Sequence, residues 1–345
     1  MRKFDYSFLK ELVPSEILDI TSIIYDIKGK EDYRLKNNPN SFSKLMDKAI
    51  IDSIKASNEI ENIVTTEKRI KDIARGDNKP LTHDEEEITG YRNVLNNIHN
   101  NYEHMVFDEK TILAMHKDML DIAKKDNRGN YKKDINIITE TINGRQYVRF
   151  KPISPEETKD AMEQLVLAYY DAKQKDVNPL LLIPCVILDF LNIHPFDDGN
   201  GRLSRLLTLL LLYKHGFNIG KFISIEKVIN YSKMQYYDVL KQSSIGWHEN
   251  NNDYFPFIIY MIQVIYKCYQ QLDENVFDQI DKKISKSEMV EEVLMNAYVP
   301  MSKAEIIDKL PNVSEKTIEL VLNKLLKENK IIKIGTFKDA HYYRK

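Results

Sequence analysis

Apolar residues return at three- and four-residue spacing over much of the chain, with charged residues between them. SFSKLMDKAIIDSIKASNEIENIV, GYRNVLNNIHNNYEHMV and DAMEQLVLAYYDAKQ keep this rhythm, which predicts helices packed by one face. Start signals agree. Ser154 precedes Pro155 and Glu157, giving an N-cap, a proline at the first helical position and a glutamate at the third. Thr82 with Glu85, and Ser302 with Glu305, fit the same capping box. PLLLIPCVILDFLNI, residues 179–193, is the most apolar stretch; it is too short to span a bilayer and carries Asp189.

The rhythm breaks at INIITETINGRQYVRF, residues 135–150. β-Branched and aromatic runs flank Asn143-Gly144, the dipeptide that most favours a two-residue hairpin turn. A lone hairpin gains little stability by itself, so it either decorates the helices or forms a flap beside a site. The pattern alone favours decoration. From about Glu288 the chain reads helix, turn, helix, then two short strands around Gly335, the order of a winged helix-turn-helix. The predicted divisions are a helical region over residues 1–79, a central domain over 80–270, a charged linker helix over 271–286 and the winged-helix domain over 287–345.

Composition adds limits. The 345 residues have room for two or three domains, and 43% hydrophobic with 30% charged residues is an ordinary globular balance. A net charge of −2 gives no global pull toward nucleic acid or membrane. Cys185 and Cys268 offer neither a disulfide framework nor metal-ligand spacing, and MRKFDYSFLKELVPSE lacks the apolar core of a signal peptide. The expected setting is the reduced cytoplasm, with no membrane partner.

The chemistry concentrates in HPFDDGNGRLSR, His194 to Arg205. The segment lies between the apolar stretch and a second helix starting at RLSRLLTLLLLYKHG, with Gly216 ending that helix. A helix N-terminus favours an anion, and Gly199, Asn200 and Gly201 let successive amides turn inward as a nest. Arg202 and Arg205 share one face of the first turn, where the helix dipole disfavours cations. Two such cations need an anion to explain them, and a polyphosphate suits their bidentate donors. Asp198 can hold Mg²⁺ beside phosphates, and His194 is the residue here able to take a proton near neutral pH. Alone, each element is an ordinary turn, loop or solvated arginine; together they are equipment for phosphoryl or nucleotidyl transfer. No GxxxxGK[ST] is present, which excludes a Walker-A site.

HPFxxGNGRxxR is the signature of Fic-domain proteins, and this chain resembles them at His194, Pro195, Phe196, Asp198, Gly199, Asn200, Gly201, Arg202 and Arg205. The resemblance extends over about residues 80–265. It implies a mainly α fold: a Fic helical bundle with a β-hairpin flap, followed by the winged helix-turn-helix domain. It also implies a protein adenylyltransferase that moves AMP from ATP, with Mg²⁺, to a Ser, Thr or Tyr hydroxyl of a target protein or of itself. In that scheme His194 is the catalytic base and Asp198 the metal ligand. Gly199, Asn200 and Gly201 face the α-phosphate, while Arg202 and Arg205 take the outer phosphates and Phe196 anchors the loop in the core. The hairpin becomes a flap that aligns the target by strand addition, at Ile137, Ile138 and Thr139. Tyr236 and Tyr237 match the paired tyrosines that line the adenine side. Ser244 departs from the pattern, standing where an asparagine contacting the nucleotide often occurs.

SNEIEN, Ser57 to Asn62, matches [ST]xxxE[GN], the inhibitory-helix pattern found N-terminal to Fic domains. By that resemblance Ser57, Glu61 and Asn62 form a brake in which Glu61 occupies Arg205, so that Glu61 borders the nucleotide site as well. Similar proteins pair through this domain, so a homodimer is among the expected partners. Two rival functions stay open. One is a transcriptional regulator with a Fic-type sensor; the other is a Fic transferase using a different donor. For the first, ten Lys and Arg against nine Asp and Glu over residues 287–345 leave the tail without the basic stripe of a DNA reader. The acids Glu315, Glu319 and Glu328 offset Lys316, Lys324 and Lys327. Protein docking or dimerisation is therefore favoured over DNA binding.

Overall fold

The computed structural model describes residues 3–11, 13–37, 39–76, 78–142, 145–280, 286–295, 297, 300–311, 313–335 and 340–345. The chain divides into two compact units, Met1–Asp273 and Glu274–Lys345. The first begins with helices α1 (Ser15–Asn37), α2 (Pro39–Ile60), α3 (Glu67–Arg75), α4 (His83–Asn101) and α5 (Glu109–Asp121). An antiparallel pair follows, β1 (Ile138–Ile142) with β2 (Arg145–Phe150), in register Thr141 opposite Gln146. The turn dipeptide Asn143-Gly144 lies outside the described residues. Then come α6 (Pro155–Gln174), α7 (Pro179–Ile193), α8 (Asn200–Lys214), α9 (Ile225–Tyr231), α10 (Lys233–Ser244) and α11 (Phe255–Ile280).

Caps form where the sequence places them. Ser154 accepts from the Glu157 amide with Pro155 in the first turn, Thr82 accepts from the Glu85 amide, and Gly216 ends α8 at φ 76°. The apolar stretch becomes α7, buried at every residue from Leu180 to Ile193. Burial on all sides explains why it lacks a polar stripe. α8 packs beside it and is nearly as buried, with α6 against α7, and α4 and α2 against α8. α8 starts at Asn200, so Asn200 and Gly201 are already helical rather than part of the loop. Among the described residues, no helix is long and apolar enough to cross a membrane.

The second unit contains α12 (Lys286–Met295), β3 (Met301–Ser302), α13 (Lys303–Lys309), α14 (Glu315–Lys327), β4 (Ile331–Ile334) and β5 (His341–Arg344). Its strands form an antiparallel sheet in the order β3-β5-β4. Ser302 and Glu305 make a reciprocal capping box at the start of α13. Val290, Leu294, Ile306, Ile318, Leu322 and Leu325 are among the residues of its core. Of the sequence-predicted linker, residues 281–285 lie outside the described residues.

Candidate active site

The segment between α7 and α8 is held from behind. His194 ends α7 in a left-handed conformation, φ 50°, and its amide bonds to the Phe190 carbonyl. Phe196 is fully buried and stacks on His116 with ring centres 3.7 Å apart. Asn200 fastens it, donating to the Phe196 carbonyl at 2.7 Å and accepting from its amide at 3.0 Å. A strap formed by Lys132 and Asn136 takes the carbonyls of the turn. Lys132 Nζ bonds to Ile193 O at 3.0 Å and its amide to Pro195 O at 2.9 Å. Asn136 Nδ2 reaches His194 O at 3.2 Å and Phe196 O at 3.0 Å. Four successive carbonyls are thereby occupied, which fixes the path of the backbone that carries His194. Gly199, at φ 81°, then turns the chain into α8 through a conformation that L side chains rarely adopt.

His194 Nδ1 lies 3.2 Å from the Leu191 carbonyl, so the hydrogen belongs on Nδ1 and the Nε2 lone pair is open. Burial lowers its pKa to about 4, and the nearby Lys132 and Arg149 charges act the same way, against Glu61 and the Leu191 bond. The imidazole is neutral at physiological pH and able to accept a proton.

Asp198 is half-exposed. Its Oδ1 accepts from the Gly199 amide at 2.6 Å, and Lys125 Nζ stands 3.2 Å from Oδ2. Burial alone would raise its pKa, but Arg202 and Lys125 outweigh that and hold it below the usual carboxylate range. Arg202 is 1% exposed and pairs with Glu87 of α4 at 2.6 Å, while its Nε and Nη1 have no hydrogen-bond partner. Glu87 also meets Lys125 at 3.1 Å and His83 at 3.3 Å.

Arg205 is 4% exposed and turned toward α2. Its Nε donates to Ser57 Oγ at 2.9 Å, and Nη2 donates to the Ser57 carbonyl and to Glu61 Oε1, both at 2.8 Å. Burial works against its charge, and the Glu61 carboxylate more than restores it, leaving the pKa raised. Glu61 lies so close over α8 that a Cβ at Gly201 would come within 2.2 Å of its Oε1. Asn62 takes the left-handed conformation, φ 62°, and the Ile63 amide bonds back to Asn58 O, ending α2 at that point. This accounts for Gly or Asn at the last position of the pattern: both tolerate positive φ.

His194, Gly201, Arg205, Glu61, Tyr236 and Tyr237 line one cavity of about 530 Å³. Ile138 and Thr139 of β1 join its wall; Ile137 precedes the strand, is 45% exposed and does not. Tyr236 is buried against Tyr237, ring centres 5.4 Å apart, and the Arg149 guanidinium lies 5.4 Å above the Tyr237 ring. Asp198, Gly199, Asn200 and Arg202 are outside that wall, Asp198 beside Lys125 and Arg202 beside Glu87. Sequence reasoning missed Lys132, Asn136, His116, Glu87 and Lys125. Three glutamates in a row, Glu85 to Glu87, gave no sign that the first and third would be buried and the second not. Lys132 and Asn136 read as ordinary polar residues ahead of a hairpin.

Residues 106–212 match the model of the Fic/DOC family. The chain is 26% identical over 193 residues to protein adenylyltransferase fic-1 of Caenorhabditis elegans, a match that covers 54% of this chain and 34% of that protein. A Fido domain-containing protein of Dictyostelium discoideum is 37% identical over 67 residues, 19% of this chain and 46% of that one. The chain thus spans less than half the length of these relatives. Among solved structures, a Fic family protein from Desulfovibrio desulfuricans has TM-score 0.64 at 19% identity, covering 97% of each chain. A Fic domain-containing signalling protein from Bacteroides thetaiotaomicron has TM-score 0.62 at 22% identity, covering 74% of this chain and 98% of that one. At these identities the likeness establishes the fold.

Proposed function

The chain carries a Fic/DOC-family domain over residues 106–212, and on that premise we propose that it transfers AMP from ATP to a hydroxyl side chain of a protein, itself included. The carrying observation is the cavity in which His194, Gly201 and Arg205 meet the paired tyrosines at the start of a helix. In this reading the target hydroxyl oxygen attacks the α-phosphorus and its proton passes to His194 Nε2. The bond from the α-phosphorus to the bridging oxygen breaks, and pyrophosphate leaves. The amides at the start of α8 and its dipole stabilise the charge that develops on the α-phosphate. Arg202, with two buried guanidinium nitrogens lacking partners, is suited to the outer phosphates.

A single half-exposed carboxylate, Asp198, fits a Mg²⁺ ion that arrives with phosphate oxygens, since this metal needs only one or two protein carboxylates. Bound there, the metal would neutralise phosphate charge. Among the described residues no cluster of three or more His, Cys, Asp or Glu could hold a metal alone.

The Glu61–Arg205 pair supports a built-in brake. A charge-assisted contact is worth about 1.5–3 kcal/mol net, hence roughly 10- to 100-fold suppression. Incorporation of labelled AMP into the full-length chain should rise by that factor in Glu61→Gly, and His194→Ala should abolish it while ATP still binds. Equal incorporation by wild type and Glu61→Gly would end the brake. An added mass other than AMP, measured on the modified chain, would change the donor. For the second unit, the strand and helix order supports a winged helix that docks protein rather than DNA. Lys303 is already engaged by Glu315 and Glu319, and Leu320 of α14 is 64% exposed. A gel shift by the full chain that weakens with salt would reverse this.

A further inference from the structure

Asn192, on the last turn of α7, is 4% exposed and lines the cavity. Its Oδ1 stands 2.8 Å from Ser244 Oγ, and its Nδ2 is buried with no hydrogen-bond partner. Ser244 Oγ is also 2.7 Å from the Leu240 carbonyl, the i−4 bond open to a helical serine. A hydroxyl carries one hydrogen and cannot serve two acceptors at once. Turning the Asn192 amide end for end corrects the count, because its oxygen and nitrogen are nearly the same size. The NH₂ then donates to Ser244 Oγ, whose hydrogen goes to Leu240. What remains is the Asn192 carbonyl, buried and without a donor, on a residue of the cavity wall. A buried acceptor left open at a ligand cavity calls for a ligand that donates.

The geometry points to Asn192, held by Ser244, as the residue that reads the base of the nucleotide and selects a 6-aminopurine over a 6-oxopurine. At position 6 a 6-aminopurine offers an N–H donor, whereas a 6-oxopurine offers a second acceptor. Facing the Asn192 carbonyl, the second acceptor leaves both oxygens unpaired, and selection comes from that rejection. This rests on the AMP-transfer reading and adds to it the residue that chooses the base. Ser244 departs from the family pattern, and here the amide comes from α7 while α10 supplies the hydroxyl that orients it.

The test compares ATP with inosine triphosphate, in which the 6-amino group is replaced by an oxo group and N1 gains a hydrogen. Calorimetry is done on the full-length chain carrying Glu61→Gly, so that the acid does not mask triphosphate binding. ATP should bind about tenfold more tightly, the worth of one hydrogen bond made against one left unpaired. Asn192→Ala should bring the two within about twofold, by weakening ATP. Ser244→Ala, which frees the amide to turn, should narrow the gap as well and gives a second reading if Asn192→Ala unfolds. Asn192→Asp keeps an acceptor toward the base and should retain the preference. If both nucleotides bind and neither Asn192→Ala nor Ser244→Ala changes their ratio, the assignment is wrong and the transfer reading stands. If neither nucleotide binds the Glu61→Gly chain, both fall.

Discussion

Asp189 is an acid in the most apolar helix of the chain, and it is fully buried. Tyr6 donates to it at 2.8 Å, Trp247 Nε1 at 2.6 Å and Tyr254 at 2.9 Å, so one carboxylate gathers the N-terminal segment, the turn after α10 and the approach to α11. The indole N–H can only donate, and an amide in place of the carboxylate has one oxygen to offer. Asp189→Asn should therefore destabilise the first unit by about 1–3 kcal/mol, read as a lower urea midpoint; an unchanged midpoint would show that these bonds contribute nothing net. The sequence displays Asp189 as an interruption of an apolar run. It gives no indication of the donors, which come from positions far along the chain.

At the scale of elements, α2 brings Ser57 and Glu61 to Arg205 of α8. Its end is set by Asn62 in a left-handed conformation, one residue beyond Glu61. A β-branched residue there would meet the steric penalty that Asn and Gly avoid, about 1–2 kcal/mol. Asn62→Gly should leave the pairing of Glu61 with Arg205 intact. Asn62→Val should fray the last turn and raise AMP incorporation several-fold, up to about tenfold, as Glu61 loses its place. Equal incorporation by the two variants would separate the cap from the brake. Polar contacts with the next elements also hold α2: Asp52 with Lys227 at 2.8 Å, Ser53 with Glu226 at 2.8 Å and Glu59 with Asn230 at 3.0 Å. The pattern SNEIEN could be read from the sequence because its three chemical roles fall within six residues. The partners on α9 could not.

Across the whole molecule, buried imidazoles set the response to acid. His99, His116, His194 and His215 are each lowered to about 4 by burial, from an unfolded value of 6.5. Between those values the unfolded chain binds more protons than the folded one. The contribution to stability is therefore complete above pH 6.5 and is lost as pH falls through 4. Urea midpoints measured from pH 7 down to 4 should drop steadily with a slope approaching four protons, and a flat profile would contradict the neutral, buried assignment. By itself the sequence determined the helices, their caps, the hairpin and the order of His194, Asp198, Arg202 and Arg205, because periodicity, capping and motif spacing act within a few residues. Only the tertiary structure decided which buried charges meet: Arg202 with Glu87, Arg205 with Ser57 and Glu61, the Lys132–Asn136 strap behind His194, and Asn192 with Ser244. Those pairings depend on how distant helices pack, and a side chain buried with a partner looks the same in sequence as one left in water.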